Sequence, residues 1–163
     1  MSTLNKIDTL RFYLKSLTVS DVSERYLGWL NTDVSKFIVF KQQSLLELEQ
    51  YVSSLINDER IFFYGIFHEV DGHIGNVKFE LKTAHVAEMG ILIGETQWHG
   101  KGVAKEVILA FAQLGKKHLD LDAITLGVDK AHYKARSAYE KIGFKVTEET
   151  EKGFTMMYFI NKY

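Results

Sequence analysis

Between Gly90 and Lys105 the chain reads Gly-Ile-Leu-Ile-Gly-Glu-Thr-Gln-Trp-His-Gly-Lys-Gly-Val-Ala-Lys: an apolar strand, a short loop, then glycines where a helix must begin. A helix start leaves its first backbone N–H groups without intrahelical acceptors and carries the positive end of the helix dipole. Glycines at 100 and 102 strip away the side chains that would cover those groups. The segment therefore predicts an anion site, and a pyrophosphate suits it. Two familiar phosphate loops do not fit. The P-loop needs four residues between its glycines and a hydroxyl for Mg²⁺; here five residues separate Gly94 from Gly100, and Gly102 stands at the hydroxyl position. The dinucleotide loop needs glycine at 105, where Lys105 sits, and its fold would not place three hairpin strands ahead of it.

Those strands are read from period-two alternation. Leu10–Lys15 alternates Leu10, Phe12 and Leu14 with polar neighbours, Ile61–His68 is an apolar buried strand, and Ile74–Leu81 and Val86–Ile93 continue a meander. Asp71-Gly72 marks a hairpin turn. Thr18 or Ser20 caps a helix over about 21–30. Ser44-Leu-Leu-Glu47 is a capping-box pattern that opens a helix with Leu45, Leu48, Val52, Leu55 and Ile56 on one face. After the glycine loop, Val103, Val107, Ile108, Phe111 and Leu114 form a helical stripe ending near His118. Ala123–Val128 is a strand, His132–Ile142 a short helix with Ala135, Ala138, Tyr139 and Ile142 inward, stopped by Gly143, and Phe144–Thr147 and Phe154–Ile160 are closing strands. Seven strands and about four helices predict an α/β (α+β) fold, with a mixed, mostly antiparallel sheet carrying helices on its faces. With no linker, repeat or low-complexity tract, residues 1–163 are expected to form one domain.

Composition narrows the chemistry. The chain has no cysteine, which removes disulfides, thiol nucleophiles and thiolate metal sites, and its six histidines form no HExxH pair, so no metal is expected. A net charge of −1 argues against a general nucleic-acid binder. No apolar run reaches a membrane span, and the start, MSTLNKIDTLRF, lacks an apolar leader core, so the cytoplasm is the expected compartment. Residues 101–141 hold 8 Lys and Arg against 5 Asp and Glu. That local excess fits either a solvated face or a small polyanionic ligand.

A third loop pattern, [R/Q]-x-x-G-x-[G/A], is satisfied by Gln97-Trp-His-Gly100-Lys-Gly102. Further along stands His132-Tyr-Lys-Ala135-Arg-Ser-Ala-Tyr139-Glu-Lys-Ile-Gly143-Phe144, which meets N-x-x-A-x-x-x-Y-x-x-x-G-F everywhere except its first position. On these two motifs the whole chain resembles the GCN5-related N-acetyltransferase (GNAT) family. Trp29-Leu-Asn31 and Ala87-Glu88-Met-Gly90-Ile are similar to the branch holding ribosomal-protein N-terminal acetyltransferases and sugar-amine acetyltransferases.

The resemblance implies a GNAT fold and acetyl-CoA as cosubstrate. It implies a pyrophosphate cradle of backbone N–H groups at Gly100, Gly102, Val103 and Ala104, with Gln97, His99, Lys101, His132 and Ala135 nearby. A plain tight loop is the alternative. Lys101 and Lys105 are equally readable as solvated helix lysines, and His132, where the family has asparagine, as a helix cap. Ile91, Leu92 and Ile93 are implied to pair their backbone with the pantetheine arm, an amide there stabilising the oxyanion; their side chains read equally as core. Tyr139 is implied to protonate the departing thiolate, against a purely packed tyrosine. Glu88 is the candidate base for the amine, with His73, Glu80 and His85 behind it, and family members often need none. Acceptor contacts are expected from Trp29, Asn31 and Phe37 and from the hairpin around Thr147–Phe154. The expected reaction is direct attack by an amine, either a protein N-terminus or a small amine such as a nucleotide-linked amino sugar, because no thiol is present to carry an acetyl-enzyme. The expected assembly is a monomer or homodimer. A non-catalytic acyl-CoA-binding or sensing module is the competing reading.

Overall fold

A computed structural model describes residues 4–31 and 41–160. Its elements run β1 (Lys6–Asp8), β2 (Phe12–Ser16), a 3-10 turn (Val19–Asp21), α1 (Glu24–Trp29), α2 (Leu45–Ile56), β3 (Ile61–His68), β4 (Gly72–Leu81) and β5 (Val86–Ile93). A second 3-10 turn (Thr96–Trp98) leads to α3 (Val103–His118), β6 (Ala123–Asp129), α4 (Tyr133–Ile142), β7 (Lys145–Glu149) and β8 (Gly153–Phe159). The strands form one sheet in the order β1-β2-β3-β4-β5-β6-β8-β7. Every pairing is antiparallel except β5 with β6.

The sheet has eight strands where seven were expected. The extra one, β1, is too short to carry a periodic signal; Ile7 pairs with Leu14 and is buried. The same hairpin overturns the assignment of Leu10 to a strand. Thr9 N–H donates to the Phe12 carbonyl at 2.9 Å, so Leu10 sits at the turn tip and is 92% exposed. The helix expected over 21–30 is shorter, because neither Thr18 nor Ser20 caps it. Ser23 does, its hydroxyl accepting from Tyr26 N–H. The Ser44 cap of α2 forms as expected, accepting from Glu47 N–H, while the Glu47 carboxylate reaches back to Gln43 N–H. Ile56, placed on the inner face, is 43% exposed at the end of that helix.

Strand alternation divides the core between two faces. On one, Tyr64, Val77, Phe79, Ala87, Ile124 and Met156 meet Val107, Ile108 and Phe111 of α3. Phe79 and Phe111 stack with centroids 3.7 Å apart. On the other, Phe63 joins Leu17, Tyr26, Trp29, Leu30, Leu48 and Val52 under α1 and α2. Among the described residues no helix is long and apolar enough to cross a membrane.

The central feature is a parting of the sheet. β5 pairs with β4 along its whole length, from Leu81↔Ala87 to Gly75↔Ile93. Its pairing with β6 stops at Glu88↔Thr125. From Met89 onward β5 has an internal free edge.

Candidate active site

The free edge of β5 exposes backbone groups in a defined direction. Gly94 N–H donates to the Ile74 carbonyl at 2.8 Å, which fixes the alternation. Gly90 and Leu92 therefore turn their N–H and C=O groups toward β4, while Ile91 and Ile93 turn theirs into the gap. The Ile93 carbonyl is met by Nε2 of His99 at 2.7 Å. Ile91 has no strand partner on that side.

Beyond the strand, the loop into α3 is pinned at every step. A Cβ on Gly94 would fall 1.9 Å from the Trp29 indole, so only glycine lets that ring lie flat on the chain. The indole Nε1–H donates to Glu95 at 2.7 Å, and Arg25 bonds both Glu95 and the Asp71 carbonyl. Trp98 Nε1–H donates to the Asp71 carboxylate. Arg11, from the β1–β2 turn, donates from Nη2 to the Lys101 carbonyl at 2.8 Å and from Nε to Glu106 in the first turn of α3. Glu106 also accepts from the Thr9 hydroxyl and Arg11 N–H. Partial burial raises the Glu106 pKa, but these hydrogen bonds outweigh it and hold the carboxyl below its ordinary range. The result is a rigid glycine corner. Gly100 has φ +69° and Gly102, the N-cap of α3, φ +78°. Both lie in the left-handed region that glycine enters without a steric penalty. No atom lies within 4 Å of a Cβ built on Gly100.

The gap, the glycine corner and α4 enclose a cavity of about 520 Å³. Its walls include Ile91, Leu92, Ile93, His99, Gly100, Lys101, Gly102, Val103, Ala104, Lys105, His132, Ala135 and Tyr139, all singled out from sequence, with Trp98 and Lys141 added. Gln97 is exposed on the preceding 3-10 turn and outside the lining. His132 is the N-cap residue of α4, although its side chain makes no capping bond. The inward stripe expected on α4 faces this cavity: Ala135, Ala138, Tyr139 and Ile142 all line it. Tyr139 packs against Phe144, centroids 5.6 Å apart. Its hydroxyl has no hydrogen-bond partner among the described residues, and burial raises its pKa. It is thus held as the neutral phenol.

A second cavity of about 220 Å³ opens on the opposite face, lined by Tyr26, Leu30, Gln42, Tyr51, Phe63, Asn76, Lys78, Gly90, Ile91 and Leu92. Ile91 and Leu92 line both cavities, so the two flank the same stretch of β5. Burial raises the Tyr26 and Tyr51 hydroxyls above their ordinary values. Trp29 belongs to the core and lines neither cavity. Asn31 is exposed and its amide donates to the Leu27 carbonyl. Phe37 lies outside the described residues. Glu88 is exposed outside both cavities, opposite Glu80 on β4. Neither cavity includes the Thr147–Phe154 hairpin, which lies on β7 and β8 beyond β6. The pinning residues Arg11 and Glu95, and the second-cavity residues Asn76 and Lys78, carry no local motif. Only the oddity of Asn76 within an apolar strand could have marked it.

Residues 11–145 match the family model for the acetyltransferase (GNAT) domain. An N-acetyltransferase 9-like protein from Nematostella vectensis is 26% identical over 68% of this chain, and the match spans 57% of that relative. Among solved structures, a Vibrio cholerae protein described as a ribosomal-protein-serine acetyltransferase shares 18% identity at a TM-score of 0.79, covering 94% of this chain and 97% of its own. A Bacillus anthracis GNAT-family acetyltransferase gives 0.76 at 19% identity over 96% and 98% of the two chains. Spermidine N-acetyltransferase from V. cholerae, in complex with CoA and spermine, gives 0.75 at 24% identity over 94% and 98%.

Proposed function

The chain belongs to the GNAT acetyltransferase family, and we propose that it moves an acetyl group from acetyl-CoA to a primary amine by direct attack, as one catalytic unit spanning residues 1–163. The observation that carries this reading is that two cavities flank the same stretch of β5, both bordered by Ile91 and Leu92. A thioester held from one face and an amine from the other come within reach without an enzyme-bound acetyl group, which a chain lacking cysteine has no thiol to form.

The glycine corner suits the diphosphate. The first N–H groups of α3 are left without intrahelical acceptors, the space at Gly100 is open, and Lys101 and Lys105 add positive charge at the cavity wall. The free edge of β5 suits an extended amide-bearing arm, which would complete the ladder that β6 abandons. The cosubstrate supplies an activated acetyl group. The Ile91 N–H, turned into the gap, is the donor placed to stabilise negative charge on the reacting carbonyl oxygen. Tyr139, kept protonated by burial, is the proton donor toward the leaving thiolate. Glu88 stands outside both cavities, so any proton it takes from the amine travels through water.

Tyr139→Phe tests the assignment. Turnover is expected to fall about a hundredfold, the lower end for a general acid, while acetyl-CoA affinity by calorimetry stays unchanged. Failure of the parent protein to bind acetyl-CoA would remove the proposal. Binding without turnover on any amine would favour the non-catalytic acyl-CoA-binding module.

A further inference from the structure

The acceptor-side cavity holds two donors that have no hydrogen-bonded acceptor among the described residues. Asn76 is 4% exposed and lines this cavity, yet among the described residues its amide nitrogen has no hydrogen-bond partner. The other half of that amide is occupied: Oδ1 lies 2.7 Å from Nε2 of His73. His73 is clamped by Phe67, stacked at 4.7 Å, and by the edges of Trp29 and Tyr26. Burial lowers its pKa, so the ring stays neutral and donates from Nε2 to Oδ1. The amide is thus locked with its nitrogen forward. The Tyr26 hydroxyl lies near enough for the amide to favour its charged form, without satisfying that nitrogen.

Lys78 follows two residues along on the same sheet face. It is half-buried, lines the same cavity and makes no ion pair among the described residues. Its Cα partner across the ladder is Gly90, where a Cβ would meet nothing within 4 Å. Space is therefore left open beside both donors, walled by the Tyr26, Tyr51 and Phe63 rings. A buried donor left unpaired costs stability, and its natural complement is an oxygen lone pair. A polyamine offers neither lone-pair oxygen nor negative charge to these groups.

We propose that Asn76 and Lys78 select an acceptor amine that carries a carbonyl, carboxylate or phosphate oxygen close to the nitrogen to be acetylated, and select against aliphatic polyamines. This rests on the acetyl-transfer reading above and goes beyond it by naming the substrate class. The proposal also sets this chain apart from its spermidine-acetylating structural neighbour.

The test is steady-state transfer from acetyl-CoA by the full chain to a short peptide with a free amino terminus, O-phosphoethanolamine, spermidine and butylamine. The first two place their oxygens differently and distinguish a carbonyl from a phosphate as the recognised group. At least one should exceed both plain amines by about tenfold or more in kcat/KM, the value of a charge-assisted hydrogen bond. Asn76→Asp keeps the shape but removes the donor, and should cut the preferred substrate about tenfold while raising spermidine. Lys78→Met, at a half-buried position, should lower the preferred substrate without shifting the melting temperature or acetyl-CoA affinity. Equal rates on butylamine, equal losses on all amines in both variants, or no transfer to any of the panel by protein that binds acetyl-CoA would overturn the proposal. Absence of acetyl-CoA binding would instead overturn the reading beneath it.

Discussion

Glu106→Gln is the sharpest probe of the pinned glycine corner. The carboxylate receives Thr9 Oγ1–H at 2.5 Å and Arg11 N–H at 2.7 Å on one oxygen, and Arg11 Nε–H at 2.8 Å on the other. Glutamine has the same volume but only one acceptor oxygen. If that oxygen faces Thr9 and the Arg11 backbone, the new NH₂ confronts the guanidinium, donor against donor; the reverse placement strands two donors instead. An unsatisfied donor costs about 1–3 kcal/mol when buried. The Arg11 side chain is 37% exposed and that of Glu106 15%, so water relieves part of this and about 1.5–2 kcal/mol is expected. For a chain of this size that is roughly 3–8 °C in melting temperature. Arg11 also donates to the Lys101 carbonyl. Loosening that anchor by about 1 kcal/mol should weaken acetyl-CoA binding about fivefold. Because the Glu106 pKa is held below its ordinary value, its contribution is complete above the ordinary carboxylate pKa and disappears as pH falls through the lowered one. The melting difference between parent and variant should therefore shrink in acid. The reasoning fails if Glu106→Gln melts with the parent at neutral pH and binds acetyl-CoA equally well.

Gly102→Ala should cost about 1–2 kcal/mol, since alanine must enter φ +78°, and should weaken acetyl-CoA binding in calorimetry. Gly127→Ala, where a Cβ meets nothing within 4 Å, is the matched control expected to leave binding unchanged. His73 supplies a pH test. Its folded pKa is depressed, so below about pH 6.5 the unfolded chain takes up a proton that the folded one refuses, and stability falls with pH through the window between the two values. Thermal melts should show this slope in the parent and a flatter one in His73→Gln.

How much was legible in the sequence follows from what each feature depends on. The glycine corner was legible because left-handed backbone demands glycine, whatever surrounds it. The α4 stripe was legible because helical spacing alone sends Ala135 and Tyr139 to one side. The Ser44 cap was legible for the same local reason. The short strand at Lys6–Asp8 and the turn-tip Leu10 were not, because three residues cannot display a period and an apolar residue in a tight hairpin mimics one. The contacts that hold the corner join residues far apart, Arg11 to Glu106 and Trp29 to Glu95. No local pattern encodes such pairs. Trp29 shows the cost: its neighbourhood pointed to a substrate contact, whereas the fold uses the ring as a bearing surface for Gly94.

The parting of β5 from β6 has an evolutionary corollary. One ligand chamber is built by α3, α4 and the glycine corner, the other by α1, α2 and the reverse side of the same strand. Substitutions that remodel the second chamber can leave the first untouched, because among the described residues only Ile91 and Leu92 belong to both. A lineage can thus exchange one nucleophile for another while its energy-rich donor keeps the same berth, and new specificities should arise from drift in α1, α2 and the β4 face that carries Asn76 and Lys78.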